Sequence, residues 1–266
     1  MAKSRPVAGT NTQTKTPFEN MVEFLNKNSR VFLVVVVGIV LGSIVLFLNY
    51  QNKNNEEGEA TRIYDIALSS IENLNYVTNQ QEQNRIFWTQ ISNMFVVIQT
   101  YPDTVSALRA RLFLANNYLE RTVGASLSEA DLNQVLSAAY TLYSDVVAKA
   151  RTDFYRAAGT LGIAYCHEIR NDYRSAIEQY NMVIEKYSKE GFTPYAMIAK
   201  AQNLEALKDI NGALSVYRDV ADNYTNSEWH KFAKAKLYFY SNPGTAAPVQ
   251  NLPMPQNSGI QLLPPQ

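Results

Sequence analysis

Residues 161–180 read LGIAYCHEIRNDYRSAIEQY, and the second half of this stretch recurs along the chain. An A-x-x-x-Y-x-x-V pattern returns with a period of 37 residues, in copies that begin at Ala139, Ala176 and Ala213. Residues three, four and seven positions apart lie on one face of an α-helix, so each copy predicts a helix that presents alanine, tyrosine and valine together. A fixed period of this length predicts a helical repeat protein.

A second repeated pattern marks the helix that precedes each copy. Leu161 and Ile198 correspond across 37 residues, whereas Leu112 lies 49 residues before Leu161. One insertion of 12 residues explains the difference, and residues 120–131 (ERTVGASLSEAD) have the glycine and serines of a loop. The same offset of 49 leads back from Ala139 to a degenerate first copy at Gln90, Met94, Val97 and Tyr101.

The sequence therefore predicts an all-α fold in which about four helix pairs stack as an α-solenoid and a last helix covers the open end. First helices are expected near residues 58–76, 104–121, 152–169 and 193–207. Their partners are expected near residues 82–100, 128–150, 172–188 and 210–224, and the last helix at Ser227–Tyr240. After the insertion, Ser126 and Glu129 are expected to form the capping box that opens the next helix.

The two helices around residues 161–180 resemble a tetratricopeptide repeat. The matching residues are Leu161, Gly162, Ala164 and Tyr165 in the first helix and Tyr173, Ala176, Ile177 and Tyr180 in the second. That family repeats every 34 residues, and this chain repeats every 37, so the resemblance over about residues 80–240 is to a divergent array. It implies a domain that binds other proteins along a groove lined by the first helices.

The resemblance also implies which side chains line this groove. When the groove positions of that family are aligned on Leu112, Leu161 and Ile198, the matching residues include Leu114, Asn117, Ile163, Cys166, His167, Lys200 and Asn203. Asn117 and Asn203 occupy the same position in different copies, and an amide there could hydrogen-bond the backbone of a bound peptide. A solvated polar face without a partner explains the same pattern.

Residues 31–48 read VFLVVVVGIVLGSIVLFL, with no charge and Ser43 as the only polar side chain. A helix of this length spans roughly 27 Å, close to the ~30 Å hydrocarbon layer, so the stretch predicts a transmembrane helix. Residues 1–30 carry five basic and two acidic groups, which places this arm in the cytoplasm. The next residues lack a small-x-small cleavage site, so an uncleaved signal anchor is favoured. Gly38 and Gly42 form a G-x-x-x-G that suits helix pairing, for example in a homodimer.

The order of arm, membrane span and helical repeats is similar to that of the YfgM-type ancillary subunits of the bacterial Sec translocon. The sequence FLNKNSR before the span and YQNKNNEE after it carry the resemblance. It implies a bacterial inner-membrane protein whose repeat domain, residues 56–240, lies in the periplasm and links translocon subunits with periplasmic chaperones. Residues 241–266 hold six of the ten prolines and no charge, which predicts a disordered tail or a peptide ligand.

No pattern indicates catalysis, a metal site or a cofactor. His167 follows Cys166, but adjacent residues of a helix point about 100° apart, so Cys166 is expected to be a small buried group. The chain after residue 30 has a net charge of −3 and offers no basic surface for nucleic acid. We therefore expect a non-enzymatic scaffold for protein export or envelope assembly. A structural subunit of a large envelope machine and a periplasmic receptor for an apolar small molecule remain as alternatives.

Overall fold

The computed structural model describes residues 29–120, 122, 126–242 and 244, except for the side chains of residues 29–36. Every regular element in these residues is helical, which confirms the all-α prediction. The α-helices are α1 (Ser29–Glu72), α2 (Gln80–Thr100), α3 (Val105–Glu120), α4 (Glu129–Lys149), α5 (Asp153–Ile169), α6 (Tyr173–Lys186), α7 (Thr193–Ala206), α8 (Ile210–Asn223) and α9 (Glu228–Ser241). Short 3₁₀ turns lie at Asn73–Tyr76 and Ser188–Glu190.

The chain divides into two compact units, residues 1–55 and 56–266. In the second unit, each helix from α2 to α9 packs against the next one along the chain, as expected for stacked helix pairs. The observed bounds of α2 to α9 differ from the predicted ones by at most two residues, because the repeat places each helix independently of local propensity.

Helix α1 is the exception, since it begins at Ser29 and not near residue 58. Residues 49–57 contain no proline, and the single glycine at Gly58 costs a helix only about 1 kcal/mol. Among the described residues, no helix combines the length and the apolar character needed to cross a membrane. The side chains of residues 31–36 lie outside the description, as do the arm at 1–28 and the tail from 245 onward.

The predicted capping box at Ser126 and Glu129 is wrong by two residues. Ser128 is the N-cap of α4, and its Oγ accepts a hydrogen bond from the Asp131 backbone N–H at 3.1 Å. The same hydroxyl donates to Asp131 Oδ2 at 2.7 Å, so the acidic residue at the third helical position completes the cap. Glu129 is instead the first residue of the helix.

The repeat tyrosines form the centre of the core, and Tyr143, Tyr180 and Tyr217 are all fully buried. Tyr143 in α4 lies directly on Gly162 of α5, where an added Cβ would meet the ring at 2.2 Å. Gly162 therefore allows the ring to approach the helix backbone more closely than any side chain would permit. One repeat later the same position holds Ala199, in α7.

Candidate protein-binding groove

The first helices of the repeats lie side by side. In addition to the contacts between consecutive helices, α3 packs against α5, and α7 packs against α9. We call the surface of the first helices α3, α5 and α7 together with the last helix α9 the first-helix face; it comprises residues 105–120, 153–169, 193–206 and 228–241. A row of adjacent helices of this kind offers one continuous surface to a partner.

The structure places four of the predicted groove residues in the interior: Leu114, Ile163, Cys166 and Asn203. Leu114 and Asn203 are only 2% and 3% exposed, and Ile163 is also buried. Leu114 and Ile163 contribute to the apolar core, so their role in this conformation is to hold the helices together. Asn117, His167 and Lys200 are half-buried and reach the surface. Partner binding at these residues stays a prediction.

Cys166 is fully buried, as its sequence context predicted. Burial raises the pKa of the Cys166 thiol to about 12, with Arg170 opposing the shift, so the thiol stays protonated at neutral pH. His167 turns toward the end of the helix instead, where its Nδ1 lies 3.1 Å from Asp172 Oδ2. Its ring also meets Tyr140 edge-on at 5.9 Å. These contacts fasten the turn between α5 and α6.

Helix α1 is attached to the start of α3 by a carboxylate. Glu57 accepts hydrogen bonds from the backbone N–H groups of Val105 at 2.7 Å and Ser106 at 3.0 Å, and from the Ser106 hydroxyl at 3.0 Å. Thr61 extends the network, with its Oγ1 2.8 Å from Ser106 Oγ. The first amides of a helix have no partner within the helix and carry partial positive charge, so a carboxylate is well suited to cap them.

Two turns further along α1, Tyr64 supports Arg109 of α3. The guanidinium lies 4.3 Å from the centre of the Tyr64 ring, and its Nη1 lies 3.4 Å from Asp65 Oδ1. Burial raises the pKa of the nearby Tyr155 hydroxyl to about 12, while Arg109 lowers it, so the hydroxyl stays protonated. The stacked, paired arginine joins α1 to α3.

The sequence prediction missed two glutamates, Glu168 and Glu205, that occupy the same position in consecutive copies. Glu205 in α7 pairs with Lys236 in α9 at 2.8 Å, and both side chains are largely buried. Glu168 in α5 instead accepts a hydrogen bond from the side-chain amide of Asn203 in α7. Each glutamate thus ties one first helix to the next. The signal was present in the sequence, since both lie seven residues after the leucine or isoleucine that marks the first helix.

The described residues hold no cluster of three or more histidine, cysteine or acidic side chains that could bind a metal ion. The polar groups of the first-helix face are amides, hydroxyls, paired carboxylates and a few cations, which suit hydrogen bonding to another protein. No family model matches the sequence, and the comparison with curated proteins yields no significant match.

Proposed function

We propose that this protein is a non-enzymatic scaffold that holds other proteins on its first-helix face, at the outer surface of a bacterial inner membrane. The single observation that carries the proposal is the row of adjacent first helices, α3 with α5 and α7 with α9, built by a repeating tyrosine core. Stacked helix pairs use such surfaces for binding because the repeated core fixes the backbone and leaves the surface residues free to vary.

The proposed anchor is residues 31–48, with the arm 1–30 in the cytoplasm and the array in the periplasm. From Val37 to Leu48 the large apolar side chains are exposed, and they include Leu41, Leu46 and Phe47. They occur on all sides of the helix, unlike the single apolar stripe of a helix that packs on a core. Lipid would remove this surface from water, which favours membrane insertion.

The partners we propose are translocon subunits or periplasmic chaperones, in keeping with the resemblance of the chain's layout to the YfgM-type subunits. Site-specific photo-crosslinking in intact cells tests this proposal. A crosslinker at Asn117 or Lys200, which are half-buried on the first-helix face, should capture these partners. A matched probe at Met182, 42% exposed on α6, should not. Equal capture from Met182, or none from Asn117 and Lys200, would contradict the proposal. Capture confined to one large envelope complex would favour the structural-subunit alternative.

The single cysteine makes the topology directly testable. In a Cys166→Ala background, Tyr238→Cys places a thiol on a position of α9 that is 62% exposed. A membrane-impermeant maleimide should label this thiol in spheroplasts without lysis. Lys15→Cys in the arm should be labelled only after lysis. Labelling of Lys15→Cys in sealed spheroplasts, or protection of Tyr238→Cys, would reject the proposed orientation.

A further inference from the structure

Lys236 is held in a small cage formed by three side chains from α7, α8 and α9. Its Nζ lies 2.8 Å from Glu205 Oε2, 5.9 Å from the centre of the Tyr217 ring and 5.8 Å from that of Phe232. Only 7% of the lysine side chain is exposed. We call Glu205, Tyr217 and Phe232 the filled cage. A carboxylate with two aromatic rings stabilises an ammonium group by charge pairing and by cation–π attraction.

The same three wall positions recur 37 residues earlier in the chain. They are Glu168 in α5, Tyr180 in α6 and Tyr195 in α7, which we call the upstream cage. The position that corresponds to Lys236 is Ala199. The upstream cage therefore has a carboxyl and two aromatic rings in the equivalent positions but no lysine of its own.

Glu168 is the one charged residue among the three that form the upstream cage. Among the described residues, no lysine or arginine pairs with Glu168, and burial raises the pKa of this carboxyl to about 7 although Asn203 and Tyr180 lower it. The Tyr180 hydroxyl faces the carboxyl without the geometry of a full hydrogen bond. Burial, and then the charge of Glu168, raise the pKa of the hydroxyls of Tyr165 on α5, Tyr180 on α6 and Tyr195 on α7.

An unpaired acceptor lies beside the same carboxyl. Asn203 Nδ2 donates one hydrogen bond to the Glu168 carboxyl and a second one, 2.8 Å long, to the Ala199 carbonyl. The Asn203 Oδ1 is buried and has no hydrogen-bond partner. A buried acceptor without a donor loses the hydrogen bond that water gives it in the unfolded chain, which destabilises the fold. An ammonium group has three donors, so it can satisfy the Glu168 carboxylate and the Asn203 oxygen together.

We propose that the upstream cage binds the ammonium group of a lysine side chain supplied by a polypeptide partner. Glu168 is half-buried, so part of its side chain lies at the surface, while burial still raises the pKa of the carboxyl. Ala199 takes the position of Lys236, and its methyl group is too short to bring a charge to Glu168. The polypeptide source of the lysine rests on the proposed scaffold function, whereas the ammonium site itself does not.

A titration of the full chain in detergent micelles tests the site. The probe is N-acetyl-lysine N-methylamide, followed by NMR through the side-chain amide signals of Asn203. A saturable shift is expected, and the norleucine analogue, which lacks the ammonium, should give none. Glu168→Gln should weaken binding at least about tenfold, because one unit charge is lost from a partly buried pair. Glu205→Gln, the matched change in the filled cage, should leave the titration unchanged. A flat titration, or equal affinity in Glu168→Gln, would overturn the proposal.

Two further experiments distinguish the existence of the ammonium site from the identity of its ligand. Ala199→Lys supplies the chain's own ammonium to the upstream cage and should abolish probe binding while the amide spectrum stays dispersed. Butylammonium carries the same charge without a peptide backbone. If N-acetyl-lysine N-methylamide binds more tightly than butylammonium, the result supports a polypeptide ligand. Equal or tighter binding of butylammonium would overturn the polypeptide source of the lysine and indicate a free amine as the ligand. Because the titration needs neither membrane nor export partner, its result is independent of the crosslinking experiment.

Discussion

Replacing Gly162 with alanine places a methyl group where the Tyr143 ring lies. The added Cβ would be 2.2 Å from ring carbon Cε1, 2.3 Å from Cδ1 and 2.4 Å from Cζ. Carbon atoms in van der Waals contact are about 3.5–4.0 Å apart, so the ring must move by more than about 1 Å. Tyr143 is fully buried and donates its hydroxyl to Asn116, so the ring has no free space and its movement breaks a hydrogen bond.

Three contributions determine the size of the effect. Overpacking a filled core costs about 1–3 kcal/mol. The lost hydrogen bond to Asn116 costs about 1 kcal/mol, and the better helix propensity of alanine returns about 1 kcal/mol. We therefore expect Gly162→Ala to lower the free energy of unfolding by about 1–3 kcal/mol. Urea unfolding of the full chain, followed by circular dichroism at 222 nm, measures this change.

Gly58 provides the matched control, since it also lies inside a helix but has no neighbouring atom within 4 Å of an added Cβ. Gly58→Ala should raise the free energy of unfolding by up to about 1 kcal/mol, because only the helix propensity changes. If Gly162→Ala proves as stable as Gly58→Ala, the close approach of Tyr143 to α5 is not a feature of the folded protein.

Three other changes follow from the contacts between helices. Glu57→Ala removes the cap of α3 and should lower the free energy of unfolding by about 1–2 kcal/mol in the same urea assay. The control is Glu59→Ala, on the solvent side of α1, which should leave the free energy of unfolding unchanged. Lys236→Ala leaves the Glu205 carboxylate without its cation and should lower the free energy of unfolding by about 2–4 kcal/mol. An unchanged free energy of unfolding would mean that the ion pair does not stabilise the protein. The Glu168 carboxyl has a folded-state pKa of about 7, above its ordinary value of 4.5, so folding favours the protonated form. The free energy of unfolding should therefore fall as the pH rises from about 4.5 to 7, and Glu168→Gln should remove this part of the slope in urea titrations at several pH values.

The 37-residue period was sufficient to predict the array from α2 onward. Each copy fixes which face of its helix carries alanine, tyrosine and valine, and that face must be buried against a neighbour. The start of α1 could not be predicted in this way, because residues 29–57 lie before the first copy. Between the apolar stretch and the first predicted repeat helix, the absence of proline and the single tolerated glycine, Gly58, decided the outcome. The N-cap at Ser128 depended on an acidic residue three positions later, a signal that Ser126 with Glu129 offers equally well.

The predicted groove residues show a different limit of sequence analysis. The 37-residue repeat predicts the face of the helix on which a residue lies. It does not predict the distance between that residue and the neighbouring first helix. Asn203 shares a position with Asn117, yet Asn203 is buried because its amide reaches Glu168 across the gap between α7 and α5. Asn117 occupies the same position in α3, and it stays half-buried.

The copies that begin at Ala139, Ala176 and Ala213, which we call the first, middle and last of this series, also bear on the upstream cage. In the first copy Leu119 takes the glutamate position and Gly162 the lysine position, so both charges are absent and the Tyr143 hydroxyl is satisfied by an uncharged amide, that of Asn116. In the last copy Glu205 and Lys236 are both present and pair with each other. The middle copy keeps the carboxyl but not the ammonium. A buried carboxyl without a cation is destabilising, and the first copy shows that this fold needs no carboxyl at that position. In the middle copy Glu168 therefore ties α5 to α7 through Asn203 and, in our proposal, also receives a cation from outside the chain.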